Sequence, residues 1–247
     1  MLQIIAYGGI SGLALLVGAW VGLAFRLREK TLAALMAFGA GVLVCALSFG
    51  LMEEAFAHGG FDAVILGFLA GGTVFIVGDL WVHRLGGKRH RRKPFRKGPE
   101  DAGGAVIVLG ALLDGVPESL ALGIALFNGQ GRGLLMLIAI VLSNFPEGIS
   151  SVAGLKREGF SARRICGLWA LVGLVVFAAA VLSYLFLTDI SPHAIGVIEA
   201  FAAGAILAML ADSMMPEAFA EGGFTVGLFT VLGFLVAFVV ARCGGPS

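Results

Sequence analysis

Charged side chains and cysteines are both scarce in this sequence. Asp, Glu, Lys and Arg make up 13% of the 247 residues, whereas hydrophobic residues make up 59%. A soluble domain of this length would leave too much apolar surface exposed, so the composition favours an integral membrane protein. The three cysteines, Cys45, Cys166 and Cys243, form no CxxC pair, which argues against a disulfide framework and a thiolate metal site.

Apolar stretches fill almost the whole chain. A membrane helix needs about 20 apolar residues, and turn or charge signals separate eight such stretches. We number them spans 1 to 8, at residues 3–25, 31–57, 61–83, 102–127, 133–155, 162–187, 194–220 and 224–241. The sequence therefore predicts an all-α, polytopic membrane protein with a single transmembrane domain over residues 1–247. Its parts are spans 1–3 at 3–83, a basic loop at 84–99, central spans 4–5 at 102–155 and spans 6–8 at 162–241.

Basic residues lie almost entirely on one side of the predicted spans. Fifteen of the 17 Lys and Arg residues lie in the connections that follow spans 1, 3 and 5 or, for Arg163 and Arg164, at the adjoining start of span 6. The positive-inside rule makes these connections cytoplasmic and places the N- and C-termini outside the plasma membrane. The basic run from Arg84 to Lys97 is expected to lie near anionic lipid. Membrane lipid is therefore an expected partner, and nucleic acid is not.

Spans 2 and 7 contain one repeated sequence. Residues 37–61 align without a gap with residues 200–224, at an offset of 163 residues. The two copies are five spans apart, so they cross in opposite directions. This predicts an inverted repeat of spans 1–3 and 6–8 around spans 4 and 5, a 3+2+3 arrangement. Inverted repeats are a transporter architecture in which the substrate lies near the midplane at the junction of the repeats.

A proline stands beside a glutamate in each central span. The motifs are Asp114-Gly-Val-Pro117-Glu118 in span 4 and Ser143-Asn144-Phe-Pro146-Glu147 in span 5. An ionisable side chain within a membrane is costly and marks a functional site by default. Each proline also leaves the carbonyl four residues earlier, that of Leu113 or Leu142, without its helical donor. Both spans therefore offer oxygen donors at membrane depth.

The two motifs are expected to face each other. Asp114 and Glu118 share one helical face, as do Ser143 and Glu147, with Asn144 one step round. Three carboxylates in a low-dielectric space repel one another, and a divalent cation would offset that repulsion. A simpler interpretation also stands, in which the glutamates cap helix kinks or bond across helices.

Other acidic residues lie outside the two motifs. Asp79, late in span 3, and Asp212, in span 7, are expected to form a relay for an ion at the cytoplasmic exit, with Glu217 near the end of span 7. Glu53 and Glu54 are expected to face water on the outside. Glu199 is expected near the start of its helix, where a carboxylate favours the helix dipole. The four histidines lie near span ends or in loops, and we assign none of them as a ligand.

Together these features resemble the ZIP (Zrt/Irt-like) family of divalent-metal transporters over nearly the whole chain. The resemblance lies in the eight spans, the outside termini, the long loop after span 3, the 3+2+3 repeat, the paired Pro-Glu motifs and the Met-Pro-Glu-Ala stretch that ends at Ala218. It implies a protein that is no enzyme and has no prosthetic group. Its substrate would be a divalent cation, zinc, manganese or iron, carried into the cytoplasm, and a homodimer is left open. The implied metal-site residues are Asp114, Glu118, Ser143, Asn144 and Glu147, with Asp79 and Asp212 at the inner exit.

The sequence departs from the family pattern at three places. Asp114-Gly115 stands where span 4 usually opens with His-Asn, span 6 carries no carboxylate, and the basic loop is rich in arginine rather than histidine. The remaining donors are hard oxygens, which favour Mn²⁺, Fe²⁺ or Mg²⁺ beside Zn²⁺. Two alternatives are a secondary transporter of another solute and a non-transporting metal-binding membrane protein. An intramembrane aspartyl protease that uses Asp79 and Asp114 would leave both motif glutamates unexplained.

Overall fold

Helices make up almost all of the chain that the computed structural model describes, namely residues 1–25, 27–86, 104–129, 132–187 and 190–243. No strand occurs in these ranges, so the all-α prediction is confirmed for them. Most of the basic loop predicted at 84–99 lies outside the described residues. The α-helices are α1 (Leu2–Ala24), α2 (Glu29–Ala46), α3 (Glu53–Gly86), α4 (Gly104–Asn128), α5 (Arg132–Arg157), α6 (Ala162–Phe186), α7 (Pro192–Met209), α8 (Met215–Gly222) and α9 (Thr225–Cys243).

Seven helical stretches of the described chain are long and apolar enough to cross a membrane. They indicate an integral membrane protein, as the composition predicts. The longest stretch, Glu29–Arg84, has 56 residues and contains both span 2 and span 3. Within it, a π-helical segment at Leu47–Met52 joins α2 to α3. A second π-helical segment, Leu210–Met214, joins α7 to α8.

Gly60 interrupts the longest stretch with a non-helical backbone, at φ 66° and ψ −165°. Glycine adopts such positive φ values without the steric cost that a side chain would bring. Residues on both sides of Gly60 approach the beginning of α7. A Cβ built on Gly196 would lie 2.8 Å from the Ala55 carbonyl oxygen, and a Cβ on Gly67 would clash with the Val197 carbonyl. The chain therefore turns back at Gly60.

Glycines allow close backbone contact in two pairs of helices, α3 with α7 and α2 with α9. A Cβ on Gly204 of α7 would clash with the carbonyl of Phe68 in α3. A Cβ on Gly41 of α2 would clash with the carbonyl of Thr230 in α9. Small residues at an interface let membrane helices approach closely. We call these four helices, α2, α3, α7 and α9, the outer group.

α1, α4, α5 and α6 pack together as a second set, which we call the central group. A Cβ on Gly12 of α1 would clash with the carbonyl of Gly173 in α6, and Gly18 lies against α5 in the same way. An apolar cluster around the buried Trp169 contains residues from all four helices. Both Pro-Glu motifs therefore lie in the central group, on α4 and α5.

The bundle has two ends, which we name after residues there. The His58 end holds the turn at Gly60 and the end of α4 at Asn128. The Lys156 end holds the end of α5, the start of α2 and the turn at Gly223, where φ is 62°. Gly60 and Gly223 are counterparts at the 163-residue offset of the repeat.

Candidate functional site

α4 and α5 remain helical through Pro117 and Pro146. Both prolines are buried, and so are three polar side chains of the motifs. The exposed fraction is 1% for Glu118, 7% for Ser143 and 1% for Asn144. The fold therefore buries these three side chains inside the bundle, whereas Asp114 and Glu147 are only half-buried.

Glycine leaves room beside one of the carbonyls that the prolines free. A Cβ built on Gly39 of α2 would lie 2.7 Å from the Leu142 carbonyl oxygen and 3.2 Å from the Met214 Cε. Leu142 is the residue four positions before Pro146, so this carbonyl lacks its helical donor. The contact places the outer group directly against the freed carbonyl.

Glu118 is buried without the partners that a carboxylate requires. Both of its carboxylate oxygens lack a hydrogen bond to any residue in the described ranges. Ser143 lies close enough to interact with Glu118, but the hydroxyl is directed at the Met214 sulfur, 3.9 Å away. Burying a polar group without compensation is unfavourable, and burying a charge more so. A cation beside Glu118 would offset that cost.

Other carboxylates lie within electrostatic range of Glu118. Asp114 interacts with it from one turn earlier in α4. Glu147 on α5 interacts with both Asp114 and Glu118. The structure thus brings the predicted carboxylates of the two motifs near one another. Among the described residues, however, no three His, Cys, Asp or Glu side chains are already arranged to hold a metal ion.

Glu217 on α8 is a fourth carboxylate of this neighbourhood, which the sequence analysis did not place there. It interacts electrostatically with Asp114 and with Glu147, and it lies close enough to interact with Ser150 of α5, whose hydroxyl donates to the Glu147 carbonyl. A sequence signal was available, because Pro216-Glu217 is another Pro-Glu pair within an apolar span. Glu217 therefore connects the two motifs with the Lys156 end.

A cavity of about 530 Å³ lies beside Glu217 at the Lys156 end. Residues of α1, α2, α5 and α8 line it, among them Met36, Ser150, Lys156 and Glu221. Ser150 and Glu217 also line this cavity, so Glu217 belongs both to the cavity lining and to the carboxylate neighbourhood.

The two residues predicted as an exit relay lie near each other. Asp79 interacts electrostatically with Asp212 and with Asp114. It also pairs with His83, with 3.1 Å between Oδ1 and Nδ1. Asp212 is exposed within the second π-helical segment. Asp79 thus interacts with one motif residue and with Asp212, and the role of the pair in ion release stays a prediction.

Two predictions about acidic residues at the His58 end are wrong. Glu54 does not simply face water, because its carboxylate pairs with the Arg132 guanidinium at the start of α5. Glu199 does not lie at the first turn of its helix but two turns into α7, and its exposed fraction is 0%. The Asn128 amide donates to Glu199 Oε1 at 2.7 Å, and His58 Nδ1 lies 3.0 Å from Oε2. The surroundings of Glu54 and Glu199 are set by tertiary contacts at this end, which the local sequence pattern does not indicate.

Comparison with known proteins gives one distant relationship. No family model matches the chain. A protein of Arabidopsis thaliana described as a "putative zinc transporter" is 28% identical to it over 187 residues. The alignment covers 74% of this chain and 29% of the Arabidopsis protein, so the chain spans less than a third of that relative's length. The similarity is a distant one and leaves the activity of this chain to be proposed.

Proposed function

We propose that this chain transports a divalent metal cation across the membrane through a site between α4 and α5. The observation that carries the proposal is Glu118, whose two carboxylate oxygens are buried without a partner in the described chain. A cation bound there as the substrate would offset the negative charge of this buried carboxylate. The other donors of the proposed set are Asp114, Ser143, Asn144 and Glu147, with Asp79 and Asp212 toward the exit.

The distant relative supports the same function. The Arabidopsis thaliana protein is described as a "putative zinc transporter", and it aligns with 74% of this chain. Ionisable side chains that are buried within apolar helices, as Glu118 is, typically mark ion or substrate pathways. A transport function also argues against an enzyme, and we propose no catalytic residue.

We propose that the chain crosses the membrane eight times as an inverted repeat. The turn at Gly60 lies within the 56-residue stretch, and counting the two sides of this turn as separate crossings would give eight in place of seven. The contact of Gly41 with α9 and that of Gly204 with α3 are repeat counterparts, since 163 residues separate the two glycines. Corresponding contacts of this kind are what an inverted repeat requires.

We further propose that the central group moves against the outer group during transport. The glycine contacts and the cluster around Trp169 connect α1 with α5 and α6, so α4 and α5 would not move alone. Packed interfaces change between discrete arrangements rather than deforming continuously. An elevator or rocking movement of all four helices is therefore the proposed transport step.

The chemistry of the donors decides which substrates we expect. Carboxylate, amide and hydroxyl oxygens suit Mn²⁺ and Fe²⁺ and also accept Zn²⁺. The distribution of Lys and Arg predicts that the Lys156 end is cytoplasmic and that the termini lie outside the plasma membrane. Transport into the cytoplasm would then release the cation through the cavity beside Glu217.

Uptake by purified protein in liposomes tests this proposal. Zn²⁺, Mn²⁺, Fe²⁺ and Mg²⁺ are offered in turn to the parent protein and to Glu118→Gln and Glu147→Gln. Loss of one buried charged ligand should reduce uptake by about tenfold or more, since charged contacts of this kind contribute about 1.5–3 kcal/mol. Glu53→Gln is the matched control, because Glu53 is exposed. Parental uptake rates in both motif variants would exclude the site.

One observation favours an alternative, a secondary transporter of another solute or a metal-binding protein without transport. The described residues contain no ready-made group of three metal-ligating side chains. Calorimetric titration with the same four ions separates these possibilities. A solute transporter would show no selective metal binding, and a non-transporting protein would bind metal without uptake.

A further inference from the structure

Glu199 is the most enclosed carboxylate at the His58 end, and it has two partners from two different elements. Its Oε1 accepts a hydrogen bond from Asn128 at the end of α4. Its Oε2 accepts one from His58 in the tautomer that carries the proton on Nδ1. A buried carboxylate with two charge-assisted hydrogen bonds is strongly held, because such bonds are about twice as strong as neutral ones. Glu199 therefore ties these three segments together.

A second polar contact lies beside the first. Arg132 at the start of α5 pairs with Glu54 in α3, and Glu54 lies close enough to interact with Glu199. Asn128 and Arg132 belong to the central group, whereas Glu54, His58 and Glu199 belong to the outer group. Both contacts thus run from one group to the other at the same end of the bundle.

The repeat counterparts at the other end form no copy of this arrangement. At an offset of 163 residues, Glu199 corresponds to Met36 and His58 to Glu221. Met36 and Glu221 both line the cavity of about 530 Å³ at the Lys156 end. The groups are thus bridged at one end and separated by a cavity at the other.

We infer that Glu199 is a positioning residue that holds the His58 end closed. Its partner on the central group is Asn128, and the Glu54–Arg132 pair is a second contact between the two groups. The inference rests on the proposed function only in that the protein alternates between openings at its two ends. Movement of the central group then requires the Asn128–Glu199 bond to break. The strength of this bond sets the fraction of molecules open at the His58 end.

Thiol labelling of the purified full chain in lipid nanodiscs tests this inference without any metal. The native cysteines are replaced by alanine, and Ala125→Cys or Ala153→Cys is introduced. Ala125 lies one turn before Asn128 in α4 and is 5% exposed. Ala153 lines the cavity at the Lys156 end. A soluble maleimide then reports on each end separately.

Asn128→Asp is the decisive variant. It keeps the shape of the side chain but sets a carboxylate against Glu199, so the bond becomes a repulsion. Labelling at position 125 should rise about tenfold or more, since a hydrogen bond to a charged group contributes about 1.5–3 kcal/mol. Labelling at position 153 should fall in the same variant, because opening one end closes the other.

Adding Glu199→Gln to Asn128→Asp provides the rescue. This pair exchanges donor and acceptor, since the new amide at 199 can donate to the new carboxylate at 128. Labelling at both positions should return toward parental values. Unchanged labelling at 125 and 153 in a folded Asn128→Asp protein would overturn the inference, as would equal labelling in the single and double variants. A melting temperature and a gel-filtration profile establish that each variant is folded, and Asn128→Ala serves if Asn128→Asp is not.

This result and the transport result are separable. Failure of metal uptake would leave the labelling pattern standing, because no metal is present in that measurement. Failure of the labelling pattern would leave the role of Glu118 in uptake untouched.

Discussion

The two ends of the bundle differ, although one repeated sequence contributes to both. Gly60 and Gly223 make the same kind of turn, with φ 66° and φ 62°, at counterpart positions of the repeat. The π-helical segments also correspond, since Leu47 and Leu210 are separated by 163 residues. Yet polar bridges join the two groups at the His58 end, and a cavity lies between them at the Lys156 end.

This difference separates the residues that form the turns from the residues that close one end of the bundle. The turns depend on a glycine with positive φ that both copies preserve. The closure of an end depends on a few side chains that the copies do not share, above all Glu199 in place of Met36. A repeated backbone can therefore have unlike polar contacts at its two ends, and the proposed alternation would then occur between two states of different free energy.

Filling the cavity should produce the largest effect. Ala153→Trp places a large side chain in the cavity at the Lys156 end, where Ala153 is half-buried. If that cavity is the release route, uptake should fall by about tenfold or more, because passage depends on the radius of the lining. Ala170→Trp is the matched control on an exposed face of α6. Equal uptake in the two variants, measured in liposomes, would show that ions leave elsewhere.

Adding a methyl group where the outer group packs against the central group should have the next largest effect. Gly39→Ala brings a methyl group to 2.7 Å from the Leu142 carbonyl oxygen, midway between the two ends. Overpacking of this kind costs about 1–3 kcal/mol, so the melting temperature should fall. Gly50→Ala is the control in the neighbouring π-helical segment, where a Cβ would meet nothing within 4 Å. A comparable loss in both variants would refute close packing at Gly39.

Transferring the polar contact to the other end sharpens the comparison. Met36→Glu places a carboxylate on α2 in the cavity that Lys156 of α5 also lines, so this pair would join the outer group to the central group as Glu199 and Asn128 do at the His58 end. One hydrogen bond contributes about 0.5–1.5 kcal/mol, so labelling of Ala153→Cys should fall by about two- to tenfold. In Met36→Glu with Lys156→Met the new carboxylate lacks this partner, and labelling should fall less. Identical labelling in the single and double variants would show that side chains at these two positions do not control closure.

Much of the fold could be predicted from the sequence because its signals are local. Apolar stretches of about 20 residues predict membrane helices directly, and the described chain is helical where spans were expected. The repeat likewise indicated corresponding positions, such as Gly60 and Gly223, before any contact was known. The separate packing of α1 with α5 and α6 was not predicted, because it depends on glycine contacts between distant segments.

The site could be predicted only in part for the same reason. The Pro-Glu pairs predict Glu118 and Glu147 as site residues because a carboxylate within an apolar stretch is rare. The electrostatic interactions of Glu217 with Asp114 and Glu147 join distant segments of the chain, and α8 itself packs against α2. The hydrogen bonds of Glu199 join residues 71 and 141 positions apart in the chain. No local pattern carries such information.

The smallest expected effect distinguishes two adjacent glutamates at the His58 end. Glu54 pairs with Arg132 and its side chain is 18% exposed, whereas Glu53 is exposed. Glu54→Gln should lower stability by about 0.5–1 kcal/mol, and Glu53→Gln should leave it nearly unchanged, because exposed charges contribute little. Melting temperatures of the two variants in the same detergent provide the measurement, and high salt should reduce the difference by screening the pair. If both variants melt alike at low salt, the Glu54–Arg132 pair contributes nothing to closure and Asn128–Glu199 must hold that end without it.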